Sequence, residues 1–125
     1  MTFLLDTHVL LWSLSEPSAL PATVRQQIQE ARHAVFVSAA SVWEISIKKA
    51  LGKLTSPGDL VDVLTASRFS PLPIGWLHAS LAGELPPHHE DPFDRMLIAQ
   101  AQIEGLTLLT HDRRLKAYGS FVHLV

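Results

Sequence analysis

The chain has 125 residues, a formal net charge of −2 and no cysteine. This length fits one domain, residues 1–125, and the lack of cysteine excludes disulfides, thiolate metal sites and thiol catalysis. The weak negative charge excludes the overall basic field of many nucleic-acid-binding proteins. Because no apolar run reaches the ~20 residues of a membrane span and the start has no basic leader, we expect a soluble cytoplasmic protein.

Short strand-like runs alternate with helical periodicity, which predicts βαβ units and a parallel sheet. In the first half of the chain the predicted elements are a strand at 2–5, a helix at 9–14, a helix at 21–32, a strand at 34–37 and a helix from about 38 to 51. Pro21 suits the first turn of its helix. Ser38 or Ser41 would cap the third helix, and Gly52 would follow its end.

In the second half the predicted elements are a helix from 56, a strand within 69–74, helices at 76–85 and 93–104, a strand at 106–110, a short helix at 113–117 and a strand at 121–124. Because Pro71 and Pro73 interrupt the first of these strands, it should be an edge strand or a very short one. Asp91 would cap the helix at 93–104, and Gly105 would end it. The pattern predicts the α/β class, as a three-layer α/β/α sandwich with a short, mainly parallel central sheet.

Four acidic residues lie where predicted strands give way to helices: Asp6, Glu44, Asp94 and Asp112. Ligands of open α/β sheets bind beyond the carboxyl ends of the strands, so acids from the whole chain can converge there. Several carboxylates in one cleft repel each other by roughly 4 kcal/mol per close pair at an effective dielectric near 20. Because a divalent cation removes this repulsion, the sequence predicts a metal-dependent phosphodiesterase.

Taken singly, most of these acids have an ordinary structural explanation. Asp6 and Asp112 could cap turns after strands. Glu44 is in the expected first turn of its helix, where it could form a capping box with Ser41 and an i, i+4 pair with Lys48. Asp94 is harder to explain in this way, because it shares a helix face with apolar residues and a lone carboxylate facing a core is unfavourable.

Mg²⁺ or Mn²⁺ is the predicted ion, because both prefer oxygen ligands and no cysteine is present. Asp6 and Asp94 are predicted to hold the principal ion, with Glu44 and Asp112 completing the site, recruiting a second ion or helping to deprotonate the attacking water. The side chains predicted to orient the carboxylates are Thr7 and Thr110.

Basic and imidazole side chains near the acids leave alternatives open. The candidate substrate-binding cations are Lys48, Arg95 and Arg113, with Lys49, Lys53, Arg114 and Lys116 nearby; a solvated charged face explains any one of them equally well. Imidazoles suit Zn, Ni or Fe, so the histidines offer a second metal hypothesis: His88, His89 and His111. Adjacent histidines in a proline-rich loop are nevertheless more often a polar turn.

Four segments together resemble a PIN domain and, more narrowly, the VapC-type toxins of bacterial toxin–antitoxin pairs: LLDTH at 4–8, SAASVWEI at 38–45, DPFDRMLIAQA at 91–101 and LTHD at 109–112. The resemblance covers essentially the whole chain. It implies a PIN-like fold and a ribonuclease that acts on single strands with Mg²⁺ or Mn²⁺. The acidic pocket it implies consists of Asp6, Glu44, Asp94 and Asp112. It also implies a small VapB-like antitoxin as partner, and a homodimer.

Two other classes of function are alternatives for this sequence. A phosphorylation-receiver module also places acids at strand ends, but it needs paired acids after the first strand and a lysine after the last, and Asp6 is followed by Thr7. A catalytically silent PIN-like module that binds RNA or protein is the remaining alternative. The residues do not identify the RNA that is cleaved, the cleavage sequence or the number of ions.

Overall fold

The computed structural model describes residues 2–31, 34–55 and 58–125. Five strands form one parallel sheet in the order β3-β2-β1-β4-β5. The strands are β1 Phe3–Leu5, β2 Val35–Ser38, β3 Ser70–Leu72, β4 Thr107–Thr110 and β5 Val122–Leu124. The helices are α1 Thr7–Ser15, α2 Ala22–Glu30, α3 Ala39–Ala50, α4 Leu60–Ala66, α5 Trp76–Glu84 and α6 Pro92–Glu104, with 3-10 turns at Pro17–Ala19 and Arg113–Tyr118.

The direction of the chain across the sheet reverses beside β1. From β1 the chain proceeds through β2 to the edge strand β3, then returns to form β4 on the other side of β1. Leu4 is therefore paired with Phe36 on one side and with Leu108 on the other. A reversal of this kind opens a crevice beyond the carboxyl ends of the two strands concerned, which here are β1 and β4.

Alternation along the strands divides the core into two layers. Leu4 and Leu108 pack on one face of the sheet with residues of α5 and α6. Leu5 and Leu109 pack on the other face with residues of α1 and α2. All four leucines are fully buried. Since both faces are covered, the predicted three-layer α/β/α arrangement is confirmed.

Most predicted elements lie within a few residues of the observed ones. The predicted edge strand is β3, which contains Pro71, and Gly105 ends α6 in the left-handed conformation at φ 67°. The predicted start of a helix at Ser56-Pro57 lies outside the described residues, as does the predicted helix end at Arg32; α4 itself begins at Leu60, capped by Asp59.

The expected start of α3 is partly wrong. Ser38 caps this helix by accepting a hydrogen bond from the Ala40 amide, so α3 begins at Ala39. Glu44 consequently lies in the second turn, and the capping box predicted for Ser41 and Glu44 does not exist. Ser41 is fully buried inside the helix instead. In the described parts of the chain, no helix combines the length and apolar character required to cross a bilayer.

Candidate active site

A cavity of about 310 Å³ opens beyond the carboxyl ends of β1 and β4. Its walls come from the residues after β1, from α3, from the start of α6 and from the residues after β4. Five carboxylates line it: Asp6, Glu44, Asp91, Asp94 and Asp112. The cationic side chains in its lining are Lys48 and Arg114. The fold therefore brings all four of the acids singled out in the sequence to one place.

Asp6 is fixed at the base of the cavity by two hydrogen bonds. It caps α1, because its Oδ1 accepts from the Val9 amide at 2.8 Å, and its Oδ2 accepts from the Thr110 hydroxyl. The residue is only 5% exposed. Burial raises the pKa of this carboxyl, although the hydrogen bonds from Thr110 and Val9 oppose the rise.

Glu44 reaches the cavity from α3. Its Oε1 accepts a 2.6 Å hydrogen bond from the Thr7 hydroxyl, and its Oε2 pairs with Lys48 Nζ at 3.0 Å. Thr7 and Thr110 thus both contact acids of the cavity, as an orienting role requires. Glu44 therefore partly neutralises the charge of Lys48, which lies one turn away on the same helix.

Asp94 lies in the first turn of α6, which Asp91 caps through hydrogen bonds from the Phe93 and Asp94 amides. The pKa of Asp94 is raised to about 7. Burial is the main cause, followed by the charge of Asp91; His89 opposes the rise, and Asp6 and Glu44 add to it. At neutral pH this carboxyl is therefore held only weakly in its charged form.

Asp112 has the opposite environment. Its Oδ1 accepts from the backbone amide and Nε of Arg114 at 3.0 and 3.1 Å, and its Oδ2 accepts from Arg114 Nη2 and His89 Nε2, both at 2.9 Å. Hydrogen bonding by Arg114 holds the pKa of Asp112 below its usual range, against the effect of burial. Because the four acceptor positions of this carboxylate are occupied, binding a cation would require Arg114 to move.

The donor chemistry of the cavity fits Mg²⁺ or Mn²⁺. The lining acids supply hard oxygen ligands, and Asp94 is destabilised in its charged form by burial and by neighbouring acids. A bound dication would relieve both effects. Three residues that include an imidazole form a second possible ligand set. One potential ligand atom from each of His89, Asp94 and Asp112 lies within 4.8 Å of the other two.

Two of the three candidate substrate-binding cations lie away from the cavity. The guanidinium of Arg95 donates instead to the carbonyl oxygens of Leu85 at 2.9 Å, Pro86 at 3.1 Å and His89 at 3.2 Å. Arg113 is exposed and absent from the cavity lining, where Arg114 is found instead. The sequence places Arg95 next to Asp94, but neighbours on a helix point in directions about 100° apart.

The sequence prediction did not place His89 or Asp91 among the residues of the acidic cavity. Asp91 caps α6 as expected and also lines the cavity. His89 is 7% exposed and contacts two of the acids, whereas His88 is exposed and packs edge-to-face against Tyr118. The sequence feature that could have indicated His89 is its position two residues before Asp91, which caps α6.

Comparisons with known proteins show what this chain is similar to. The family model of the PIN domain matches residues 3–120. Ribonuclease VapC22 of Mycobacterium tuberculosis is 30% identical over 124 residues, which cover 94% of this chain and 92% of that protein.

Two solved structures share the fold over their whole length. The DNA-bound VapBC of Salmonella typhimurium matches with a TM-score of 0.69 and 17% identity, covering 100% of this chain and 97% of that one. VapBC2 of Rickettsia felis, bound to a promoter DNA fragment, matches with a TM-score of 0.72 and 16% identity, covering 100% and 98%. At such identities, these two structures establish likeness of fold alone.

Proposed function

This chain belongs to the PIN domain family, and on that premise we propose that it is a Mg²⁺- or Mn²⁺-dependent endoribonuclease, the toxin of a type II toxin–antitoxin pair. The observation that carries the proposal is the meeting of Asp6, Glu44, Asp94 and Asp112 in one cavity. The relative named as a ribonuclease and the VapBC structures support it. Residues 1–125 form a single PIN-like domain in this proposal.

Asp6 and Asp94 would hold the principal ion. The hydrogen bonds from Val9 and Thr110 leave acceptor positions on both oxygens of Asp6. Burial and neighbouring acids both disfavour the charged form of Asp94, which a cation would stabilise. Glu44 and Asp112 would complete the site. When bound, the ion would supply an activated water and a positive charge that stabilises the phosphoryl oxygens.

Within this mechanism Glu44 is the proposed acceptor of the proton from the attacking water. Asp112 is a poor base, because Arg114 and His89 hold its pKa below the usual range. Glu44 is oriented for the task by the 2.6 Å hydrogen bond from Thr7, and Thr110 orients Asp6 in the same manner.

Single-stranded RNA would approach the cavity along its basic and aromatic sides. Lys48 and Arg114 line the cavity and would contact phosphates. The rings of His8 and His111 lie 5.7 and 5.2 Å from that of Trp12, and both histidines line the cavity. This group of rings offers a surface on which a flanking base can stack.

The proposed physiological partner is a small VapB-like antitoxin that occupies the acidic cavity, within an assembly built on a homodimer in the cytoplasm. The fold shared with two VapBC complexes supports the antitoxin. Co-purification from the native host, followed by mass determination of the intact complex, tests both points. Recovery of a monomeric chain with no small partner would contradict them.

The experiment for the activity uses single-stranded RNA with Mg²⁺, with Mn²⁺ and with excess chelator. We expect cleavage only with a divalent ion, and none by Asp94→Asn at equal metal. Because Asp94→Asn should not cleave RNA, it can be used to measure RNA affinity. In this background, Trp12→Leu should weaken RNA binding. Full cleavage by Asp94→Asn, or cleavage in chelator, would overturn the nuclease site; metal-independent RNA binding without cleavage would favour the silent module.

A further inference from the structure

The imidazole of His89 is buried between two of the acids. Its Nε2 lies 2.9 Å from Asp112 Oδ2 and 3.2 Å from Asp94 Oδ2. On the opposite side of the ring, Nδ1 accepts a 3.0 Å hydrogen bond from the Asp91 backbone amide. One ring thus connects the loop before α6 to carboxylates from α6 and from the segment after β4.

The contact with Asp91 determines which ring nitrogen carries hydrogen. A backbone N–H is always a donor, so Nδ1 must present its lone pair to it. The neutral ring then carries its hydrogen on Nε2, where Asp112 Oδ2 accepts it at 2.9 Å. Asp94 Oδ2 lies 3.2 Å from the same nitrogen as a close electrostatic neighbour. A nitrogen that carries hydrogen has no lone pair for a metal ion. The close grouping of His89, Asp94 and Asp112 is therefore unsuited to metal ligation by the imidazole.

Neighbouring groups fix the backbone at His89. The His89 amide donates to the Tyr118 hydroxyl at 3.1 Å, and the His89 carbonyl accepts from Arg95 Nη1 at 3.2 Å. Arg95 also donates to the carbonyls of Leu85 and Pro86. The loop is thus fixed on both sides of His89. This arrangement explains why Arg95 points away from the cavity although it follows Asp94.

We propose that His89 is a positioning residue: its Nε2–H donates to Asp112 Oδ2 and lies against Asp94 Oδ2, and thereby sets the spacing of the two acids toward the bound ion. This inference rests on the proposed function and deepens it. Without the donor, two carboxylates would face each other across the gap and separate. Partners of this kind typically contribute 10- to 100-fold to metal affinity or activity.

Two substitutions separate positioning from a merely structural role. His89→Gln can keep a donor near the Nε2 position while it loses the acceptor for the Asp91 amide. His89→Asn can keep that acceptor while it loses the donor to the acids. His88→Asn is the matched control, because His88 is exposed and contacts neither acid.

The measurements are Mn²⁺ affinity by calorimetry, and kcat and KM for RNA cleavage. For His89→Asn we expect Mn²⁺ affinity and kcat to fall by about 10- to 100-fold with little change in KM, while His89→Gln recovers most of the loss. Wild-type values for His89→Asn together with impaired His89→Gln would overturn the proposal, because the ring would then serve only the loop. A wild-type protein that binds no Mn²⁺ would instead overturn the proposed function.

A measurement on the wild-type protein remains decisive if a variant fails to fold. Long-range ¹H–¹⁵N NMR identifies the nitrogen of His89 that carries hydrogen. We expect hydrogen on Nε2 in the metal-free protein and no change when Mg²⁺ is added. Hydrogen on Nδ1 alone, with none on Nε2, in either state would show that Nε2 is free to bind metal, and the positioning role would be wrong.

Discussion

Asp6 and Asp112 hold matched positions in the fold and have opposite electrostatic environments. Asp6 follows β1 directly, and Asp112 follows β4 after one residue. Each caps the next helical segment, with hydrogen bonds from Val9 N at 2.8 Å and from Arg114 N at 3.0 Å. Yet burial raises the pKa of Asp6, while Arg114 lowers that of Asp112.

The difference shows that an acid at a strand end acquires its chemistry from what surrounds it in the folded state. Asp6 is almost completely buried and has no cation hydrogen-bonded to it among the described contacts, so its charged form is disfavoured. Asp112, in contrast, forms an ion pair with Arg114, two residues further along the chain. In the proposed function, Asp6 would therefore gain most from a bound ion, whereas Asp112 is already paired with Arg114.

The largest expected effect comes from Asp6→Asn. Loss of this ligand should lower the cleavage rate by about 10³-fold, since several kcal/mol of metal-based stabilisation are at stake and each 1.36 kcal/mol is tenfold. The metal-free variant should melt at a higher temperature than the wild type at pH 8, because an unfavourable buried charge is removed.

Asp112→Asn is the matched control for stability. It should lower the melting temperature of the metal-free protein, because an amide cannot accept all the hydrogen bonds from Arg114 and His89. Calorimetry on both variants checks the contrast. The same sign of shift in the two variants would contradict the difference drawn between the two acids.

The next effect is a pH dependence of stability in the metal-free protein. Asp94 titrates at about 7 when folded and near 3.9 when unfolded, so the folded state binds more protons between these values. Stability should therefore fall as the pH rises from 4 to 7, by roughly 4 kcal/mol at most for a shift of about 3 units at 1.36 kcal/mol each. Asp6 acts in the same direction.

Melting curves at pH 5 and pH 8, with chelator and with Mg²⁺, check this prediction. We expect the higher melting temperature at pH 5 in chelator, and a rise on adding Mg²⁺ that is larger at pH 8. Asp94→Asn should flatten the dependence. Asp112 contributes the opposite slope only in strong acid, because its stabilisation is lost as the pH falls below about 4 toward its lowered pKa. Greater stability of the chelated protein at pH 8 would contradict the prediction.

The smallest expected effect on activity comes from substitution of Thr110, which forms hydrogen bonds with both Asp6 and Asp112. Its hydroxyl donates to Asp6 Oδ2 and accepts from the Asp112 amide at 3.1 Å. Thr110→Val should lower activity by about 10- to 100-fold, because both acids lose an orienting partner. Thr110→Ser should recover most of this loss, since it keeps the hydroxyl; equal activity of the Val and Ser variants would show that the hydrogen bonds do not matter.

Local sequence patterns were sufficient to predict the layers of the fold. The apolar run at β4, the prolines at β3 and the Asp91–Pro92 start of α6 each have a direct backbone consequence. The start of α3 was less certain, because Ser38 and Ser41 are both good caps and only the observed hydrogen bond to the Ala40 amide distinguishes them.

The order of residues along the chain indicated that acids would gather at one edge of the sheet, because parallel strands end at the same edge. Asp6 and Asp112 follow strands, and Glu44 belongs to the helix directly after β2. Asp94 is separated from β3 by α5, so its place at this edge depends on how α6 packs. Which groups surround each acid was decided only in three dimensions. The bond from His89 to Asp112 spans 23 positions, and that from Thr110 to Asp6 spans 104. Local patterns carry no information about such distant pairs, because packing of the layers brings them together.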